Sequence, residues 1–147
     1  MPPTLYLVRH AETEWSLAGR HTGRTDLPLT DRGETAARQL GQRLSALTFD
    51  KVYTSPLRRA MRTCDLAGFS AQAEINANLV EWNYGLYEGK ATADIQADRP
   101  DWDLFRDGCP DGESPADVAW RQAGSWSAAL KVSPATFCSF PVDTFCG

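Results

Sequence analysis

The chain has 147 residues, 42% apolar and 23% charged, with a net charge of −4. That describes one soluble domain with enough chain to bury a core, and the acidic balance argues against nucleic acid or an anionic membrane as partner. No apolar run approaches the roughly eighteen residues of a membrane span, and Met1-Pro2-Pro3-Thr4 is no signal peptide, so a cytoplasmic location is expected. Cys64, Cys109, Cys138 and Cys146 are widely spaced with no C-x-x-C pair, which predicts reduced structural thiols and no metal site.

Leu5-Tyr6-Leu7-Val8 is a short apolar run that stops at Arg9-His10. It reads as a buried parallel strand delivering a cation and an imidazole to its carboxyl end, where open α/β sheets bind their ligands. A polar loop follows, from Glu12 to Leu29, containing Gly19, Gly23 and Pro28. Its length marks it as functional. Thr30 is an N-cap for a helix whose apolar stripe is Ala36, Ala37, Leu40, Leu44 and Leu47. Lys51–Thr54 is a second strand, ended by Ser55-Pro56. Ser55 as cap and Pro56 at the first helical position open the next helix, which runs to about Ala67. Arg58, Arg59 and Arg62 near its start oppose the helix dipole, so an anion is expected to meet them.

Ala73–Asn76 reads as an edge strand, and Leu79–Gly89 is rich in aromatics and glycine. Asp101–Glu113 is a second polar loop, and Ser114-Pro115 caps a helix continuing to about Leu130. Residues 131–147 differ from the chain before them. They show no periodicity, and Pro141 breaks any strand.

Taken in order, Leu7-Val8-Arg9-His10-Ala11-Glu12-Thr13-Glu14-Trp15, Gly19-Arg20-His21-Thr22-Gly23, Thr54-Ser55-Pro56-Leu57-Arg58-Arg59-Ala60, Glu81-Trp82-Asn83-Tyr84-Gly85-Leu86-Tyr87-Glu88-Gly89 and Gly108-Cys109-Pro110-Asp111-Gly112-Glu113-Ser114 resemble the histidine phosphatase superfamily, the phosphoglycerate mutase-like proteins. Ala11 stands where the family usually has glycine. The resemblance implies an α/β three-layer sandwich with a mostly parallel central sheet, in a single domain that is family-like over residues 1–130 and atypical over 131–147. It also implies a phosphomonoester hydrolase acting on small phosphorylated metabolites, without cofactor, through a phosphohistidine intermediate.

By that resemblance His10 is the nucleophile. Arg9 and Arg59 hold the phosphoryl oxygens, Ser16, Thr22 and Gly23 add loop contacts, and Glu81 protonates the leaving alkoxide. Neighbouring positive charge disfavours the imidazolium of His10. Glu88 and Glu113 stay open as alternative acids. His21 reads as substrate-contacting or exposed. Glu88-Gly89 is followed by Lys90 and an acidic-leaning segment without a basic cluster, which favours a phosphatase of the sugar-bisphosphatase or acid-phosphatase type over a phosphoglycerate mutase. Homo-oligomerisation is left open.

The family carries a second histidine in a V-S-H-G-like motif, expected here near Ser139. The two histidines of this chain are His10 and His21. Read one base out of phase, codons for residues 134–147 can spell Gly-Asp-Val-Leu-Phe-Val-Ser-x-Gly-His-Phe-Leu-Arg, close to the missing strand. A frameshifted or truncated tail is therefore expected, with a fold incomplete at its C-terminus, a central strand lost, low stability and little turnover. A non-catalytic phospho-ligand binding module or an inactive remnant remains the alternative.

Overall fold

The computed structural model describes the backbone at residues 4–129 and 135–139 and the side chains at residues 4–124. In chain order the elements are β1 (Thr4–Val8), α1 (Glu14–Leu17), α2 (Asp31–Leu44), β2 (Lys51–Thr54), α3 (Arg58–Leu66), β3 (Ala73–Ile75), α4 (Thr92–Asp98), α5 (Leu104–Asp107), α6 (Pro115–Ala129) and β4 (Ala135–Ser139). The strands form one sheet in the order β1-β4-β2-β3, and every neighbouring pair is parallel. The α/β class and parallel sheet expected from the sequence are therefore present.

The sheet's register positions the site. Val8 and Thr54 both lie opposite Ser139, so β1, β4 and β2 end together. Arg9-His10 and Ser55 leave the sheet at that common carboxyl edge.

β4 corrects the reading of residues 131–147 as strandless. Ala135–Ser139 pairs with β1 on one side and β2 on the other. Ladder bonds are backbone bonds, which many sequences can make, and Pro141 falls beyond the strand's end. The rest of the tail, with most of the segment whose out-of-phase reading matches the family, lies outside the described residues.

The reading of Leu5–Val8 as a fully buried strand is also corrected. Among the described residues β1 has a partner on one side, and Leu7 is 47% exposed while Val8 is buried. Helix α2 behaves as expected at its start, where Thr30 Oγ1 accepts from Gly33 N at 3.0 Å. Ala37 is buried, and Leu40 and Leu44 pack on a core of Val8, Phe49, Val52, Cys64, Ala67 and Phe69. Ala36 and Leu47 face outward. Full burial of each large apolar side chain in such a core contributes about 1.5–3 kcal/mol.

Helix α3 starts later than Ser55-Pro56 suggests. Leu57 is its N-cap residue and makes no side-chain cap. Asp26 in the preceding loop supplies an acceptor instead, taking the Arg58 N–H at 2.8 Å. A helix-end donor is thus satisfied from a distant segment, an arrangement that local sequence cannot announce.

Each polar loop contains one helical turn, α1 and α5, and α4 is an element the sequence reading did not include. Between β3 and α6 the aromatic stretch builds a second core of Trp82, Tyr84, Tyr87, Ile95, Trp102 and Cys109. Both buried indoles find acceptors: Trp82 Nε1 on Glu113 O and Trp102 Nε1 on Gly108 O, each at 2.9 Å. Cys64 and Cys109 are free and buried, and burial pushes both thiols up to about 11, as suits inert structural cysteines.

Candidate active site

His10 leaves β1 at the carboxyl edge of the sheet and is buried. Its neighbours are fixed by α3 and α2. Thr63 Oγ1 accepts from Ala11 N at 3.0 Å and donates to Arg59 O at 2.7 Å. Thr30 N donates to Glu12 O at 3.0 Å, and Thr30 Oγ1 to Glu12 Oε1 at 2.7 Å. Gly33 sits so close to the Glu12 backbone that a β-carbon there would collide with the Glu12 carbonyl.

The His10 ring is oriented by a short contact, Nδ1 to Ala11 O at 2.7 Å. A carbonyl oxygen can only accept, so Nδ1 carries the proton. In the neutral ring Nε2 then holds the lone pair. That is the tautomer a nucleophilic imidazole needs.

The 12–29 loop shares a cavity with His10 and is held in fixed geometry. Thr13 and Ser16 form a capping box: Thr13 N donates to Ser16 Oγ at 2.9 Å and Ser16 N to Thr13 Oγ1 at 3.2 Å. Thr22 is buried, with Oγ1 on Arg20 O at 3.2 Å. Beneath the loop, Arg59 is 1% exposed and donates to three carbonyls, Thr25 O at 2.9 Å, Gly23 O at 2.8 Å and Thr22 O at 3.2 Å. Burial lowers its pKa, against the opposing pull of Glu81, Asp26, Glu88 and Tyr84. From the other side Glu88 Oε1 accepts from Gly23 N at 2.8 Å and Thr25 N at 3.2 Å. A β-carbon at Gly23 would collide with Trp82 O, so the tight approach requires glycine.

A cavity of about 360 Å³ results, lined by Arg9, His10, Ser16, Gly19, Arg20, His21, Thr22 and Thr92. Of the residues singled out in the sequence, Arg9, His10, Ser16 and Thr22 meet in its wall. Gly23 and Arg59 lie behind Thr22, and the Gly23 N–H points to Glu88. His21 faces the cavity. Its ring stacks on Tyr84 with centroids 4.7 Å apart, and Nε2 lies 3.1 Å from Thr92 Oγ1.

Glu81 is buried, and its Oε1 accepts from Trp82 N at 2.9 Å. It is also the foremost charge holding up the pKa of Arg59. The two alternative acids have other commitments. Glu88 anchors the loop. Glu113 forms a bidentate pair with Arg121 at 2.8 and 2.9 Å and accepts from Asn83 N at 2.7 Å. Burial pushes the Glu113 carboxyl up, but Arg121, the Asn83 N–H and Arg24 together hold it below its ordinary value. Arg121 also donates to Asn78 O and Val80 O, both at 2.8 Å. This brace fixes the segment that carries Glu81.

Sequence reasoning missed Thr63, Arg20 and Thr92, and it considered Glu88 only as an acid. Gly23-to-Glu88 and Ala11-to-Thr63 contacts link positions 65 and 52 residues apart, which no local pattern encodes. Arg20 carried a signal, since it adjoins Thr22-Gly23 in the quoted motif.

The parallel sheet of this α/β protein thus ends in a cation and an oriented imidazole, beside a loop of hydroxyls backed by a second arginine. The profile of the Histidine phosphatase superfamily (branch 1) matches residues 5–136, and the chain belongs to that family. It is 46% identical over 129 residues to an acid phosphatase of Mycobacterium tuberculosis, covering 86% of this chain and 63% of the relative. Sedoheptulose 1,7-bisphosphatase of Saccharomyces cerevisiae is 35% identical over 145 residues, covering 82% of this chain and 53% of that protein. The solved structure of the open reading frame Rv3214 product from Mycobacterium tuberculosis superposes with a TM-score of 0.85 at 42% identity, covering 92% of this chain and 72% of that one. The chain thus spans just over half to just under two thirds of these curated relatives' length.

Proposed function

We propose that the chain is a phosphomonoester hydrolase of small phosphorylated metabolites, in which His10 Nε2 takes the phosphoryl group. The observation that carries this reading is the Nδ1 contact to Ala11 O, which supports a lone pair on Nε2 inside a cavity walled by Arg9, Ser16 and Thr22. Arg9 faces the incoming dianion directly. Arg59 acts through the loop by fixing the carbonyls of Thr22, Gly23 and Thr25. It is a positioning residue in this arrangement.

As the P–O bond to the alcohol breaks, negative charge gathers on the departing oxygen. Glu81 is assigned the acid's role because it holds the position of the family's proton donor; it is buried, coupled in charge to Arg59, and lies outside the lining of the His10 cavity. The phosphoryl group then resides on Nε2 until water attacks phosphorus and releases phosphate. The names of the acid phosphatase at 46% identity and the bisphosphatase at 35% support this reading, while further relatives at 30–34% are named probable phosphoglycerate mutases.

The test varies the leaving group. Glu81→Gln should cut alcohol release from glycerol 3-phosphate about 10²–10⁴-fold, and release from p-nitrophenyl phosphate much less, because p-nitrophenolate departs without a proton. Equal losses on both substrates would remove Glu81 from the acid's role.

A further inference from the structure

Helix α3 carries two buried polar residues one turn apart, Arg59 and Thr63, each 1% exposed. Arg59 holds the loop, and the mechanism gives Thr63 no part. The Thr63 hydroxyl donates to Arg59 O at 2.7 Å, four residues back. Threonines inside helices commonly make that bond, and Thr35 makes it in α2 at 3.1 Å on the protein's surface. Thr63 differs in being buried and in serving a second partner. Its Oγ1 also accepts from Ala11 N at 3.0 Å, in the segment that leaves β1, 52 positions away in the chain.

Ala11 in turn orients the nucleophile. Its carbonyl is the acceptor for His10 Nδ1 at 2.7 Å, so the ring's orientation depends on the backbone torsions of this single residue. On the carboxyl side those torsions are held by Thr30 N on Glu12 O at 3.0 Å and by the close approach of Gly33 to the Glu12 backbone. On the amino side, the peptide between His10 and Ala11 donates its N–H to Thr63. The one proton of the Thr63 hydroxyl is spent on Arg59 O, which leaves the oxygen's lone pairs for the Ala11 N–H. Donation therefore runs from Ala11 N to Thr63 Oγ1 to Arg59 O, a chain in which each bond strengthens the next. It ties the nucleophile's backbone to the same residue whose side chain holds the Thr22, Gly23 and Thr25 carbonyls.

We propose that Thr63 is a positioning residue for the nucleophile. Through Ala11 it keeps His10 in the Nδ1–H tautomer and sets where Nε2 stands relative to the loop that Arg59 fixes. Without the hydroxyl, the peptide between His10 and Ala11 is free to turn and Ala11 O moves off Nδ1. The ring proton then passes to Nε2 in part of the population, and a ring in that form offers no lone pair at Nε2. The ladder of β1 to β4 and the helical bonds of α3 do not involve this hydroxyl, so the change is confined to the ring and its peptide. The inference rests on the reading of His10 Nε2 as the nucleophile.

Nitrogen–proton correlation spectra of the imidazoles in the isotope-labelled chain test it directly. They are read at about pH 8, where an imidazole of ordinary pKa is neutral, and His10→Ala assigns the signals. Thr63→Val removes the hydroxyl at nearly constant shape, Thr63→Ala removes it without placing a methyl against the Ala11 N–H, and Thr63→Ser keeps it. In the wild type and in Thr63→Ser, the His10 signals should show Nδ1 protonated and Nε2 bare. In Thr63→Val and Thr63→Ala a signal for the Nε2–H form should appear. Covalent labelling of His10 by a phosphomonoester should slow about 10–100-fold in those two variants and less than about threefold in Thr63→Ser. Unchanged His10 signals and labelling rate in whichever of Thr63→Val and Thr63→Ala folds, or a Thr63→Ser protein as slow as they are, overturns the inference while leaving the phosphoryl site standing. Loss of the fold in both, seen as collapsed proton dispersion, assigns the hydroxyl to stability and overturns it too. If the wild-type ring carries its proton on Nε2, or takes no label at His10, the nucleophile reading falls, and this inference with it.

Discussion

Removing the Glu88 carboxylate should loosen the loop over His10 without unfolding the protein. Oε1 receives two backbone donors, Gly23 N at 2.8 Å and Thr25 N at 3.2 Å. Gly23 is buried, so its N–H would lose a charge-assisted bond worth about 1.5–3 kcal/mol. Thr25 is half-buried and its bond longer, so water replaces much of it, and about 0.5 kcal/mol is the expected loss there. Glu88→Ala should therefore lower unfolding free energy by about 2–3 kcal/mol. The carbonyls of Thr22, Gly23 and Thr25 remain held by Arg59, which confines the damage to one side of the loop. Glu88→Gln keeps an acceptor oxygen and should lose about half as much. Urea unfolding followed by tryptophan fluorescence reads this, since Trp82 and Trp102 are buried in the adjoining core. Affinity for inorganic phosphate should drop with it, by about tenfold in Glu88→Ala. A Glu88→Ala protein within about 0.5 kcal/mol of wild type, with unchanged phosphate affinity, would refute the anchoring role.

Arg59→Lys keeps the charge but cannot span three carbonyls, so it should destabilise the chain by about 3 kcal/mol and abolish phosphate binding; thermal melts and calorimetry check both. The Glu113–Arg121 brace gives a pH dependence whose sign is fixed. The folded carboxyl lies below its ordinary value of 4.5, so its stabilisation is full above about that pH and is lost as pH falls through the folded value. Glu113→Gln should flatten the acid side of a urea-stability profile below about pH 4.5, and should cost about 2 kcal/mol at neutral pH.

What the sequence disclosed was whatever local pattern encodes. The apolar run ending at Arg9-His10, the Thr30 cap and the Ala37-Leu40-Leu44 stripe are each set by neighbours a few residues away. The candidate site residues were named because the motif order of a family is itself a record of three-dimensional contacts. Features built from distant pairs stayed hidden. Asp26 opens α3 in place of Ser55, Glu88 ties down Gly23, and Thr63 holds Ala11. Arg59 illustrates the difference most plainly: its helical position marks it as important, but only the folded loop shows that three of its five N–H donors go to carbonyls. β4 went unseen for a related reason. Ala-Thr-Phe-Cys-Ser carries little pattern of its own, and its place between β1 and β2 is set by backbone pairing.

The central claim is that His10 Nε2 forms a bond to phosphorus. Brief incubation of the chain with a phosphomonoester labelled at phosphorus, followed by alkaline quenching and peptide mapping, tests it most directly. A phosphoryl group that is stable to base, labile to acid, located on the peptide containing His10 and absent from His10→Ala is the predicted result. Label that persists undiminished in His10→Ala, or no covalent label while the alcohol is released, would contradict it.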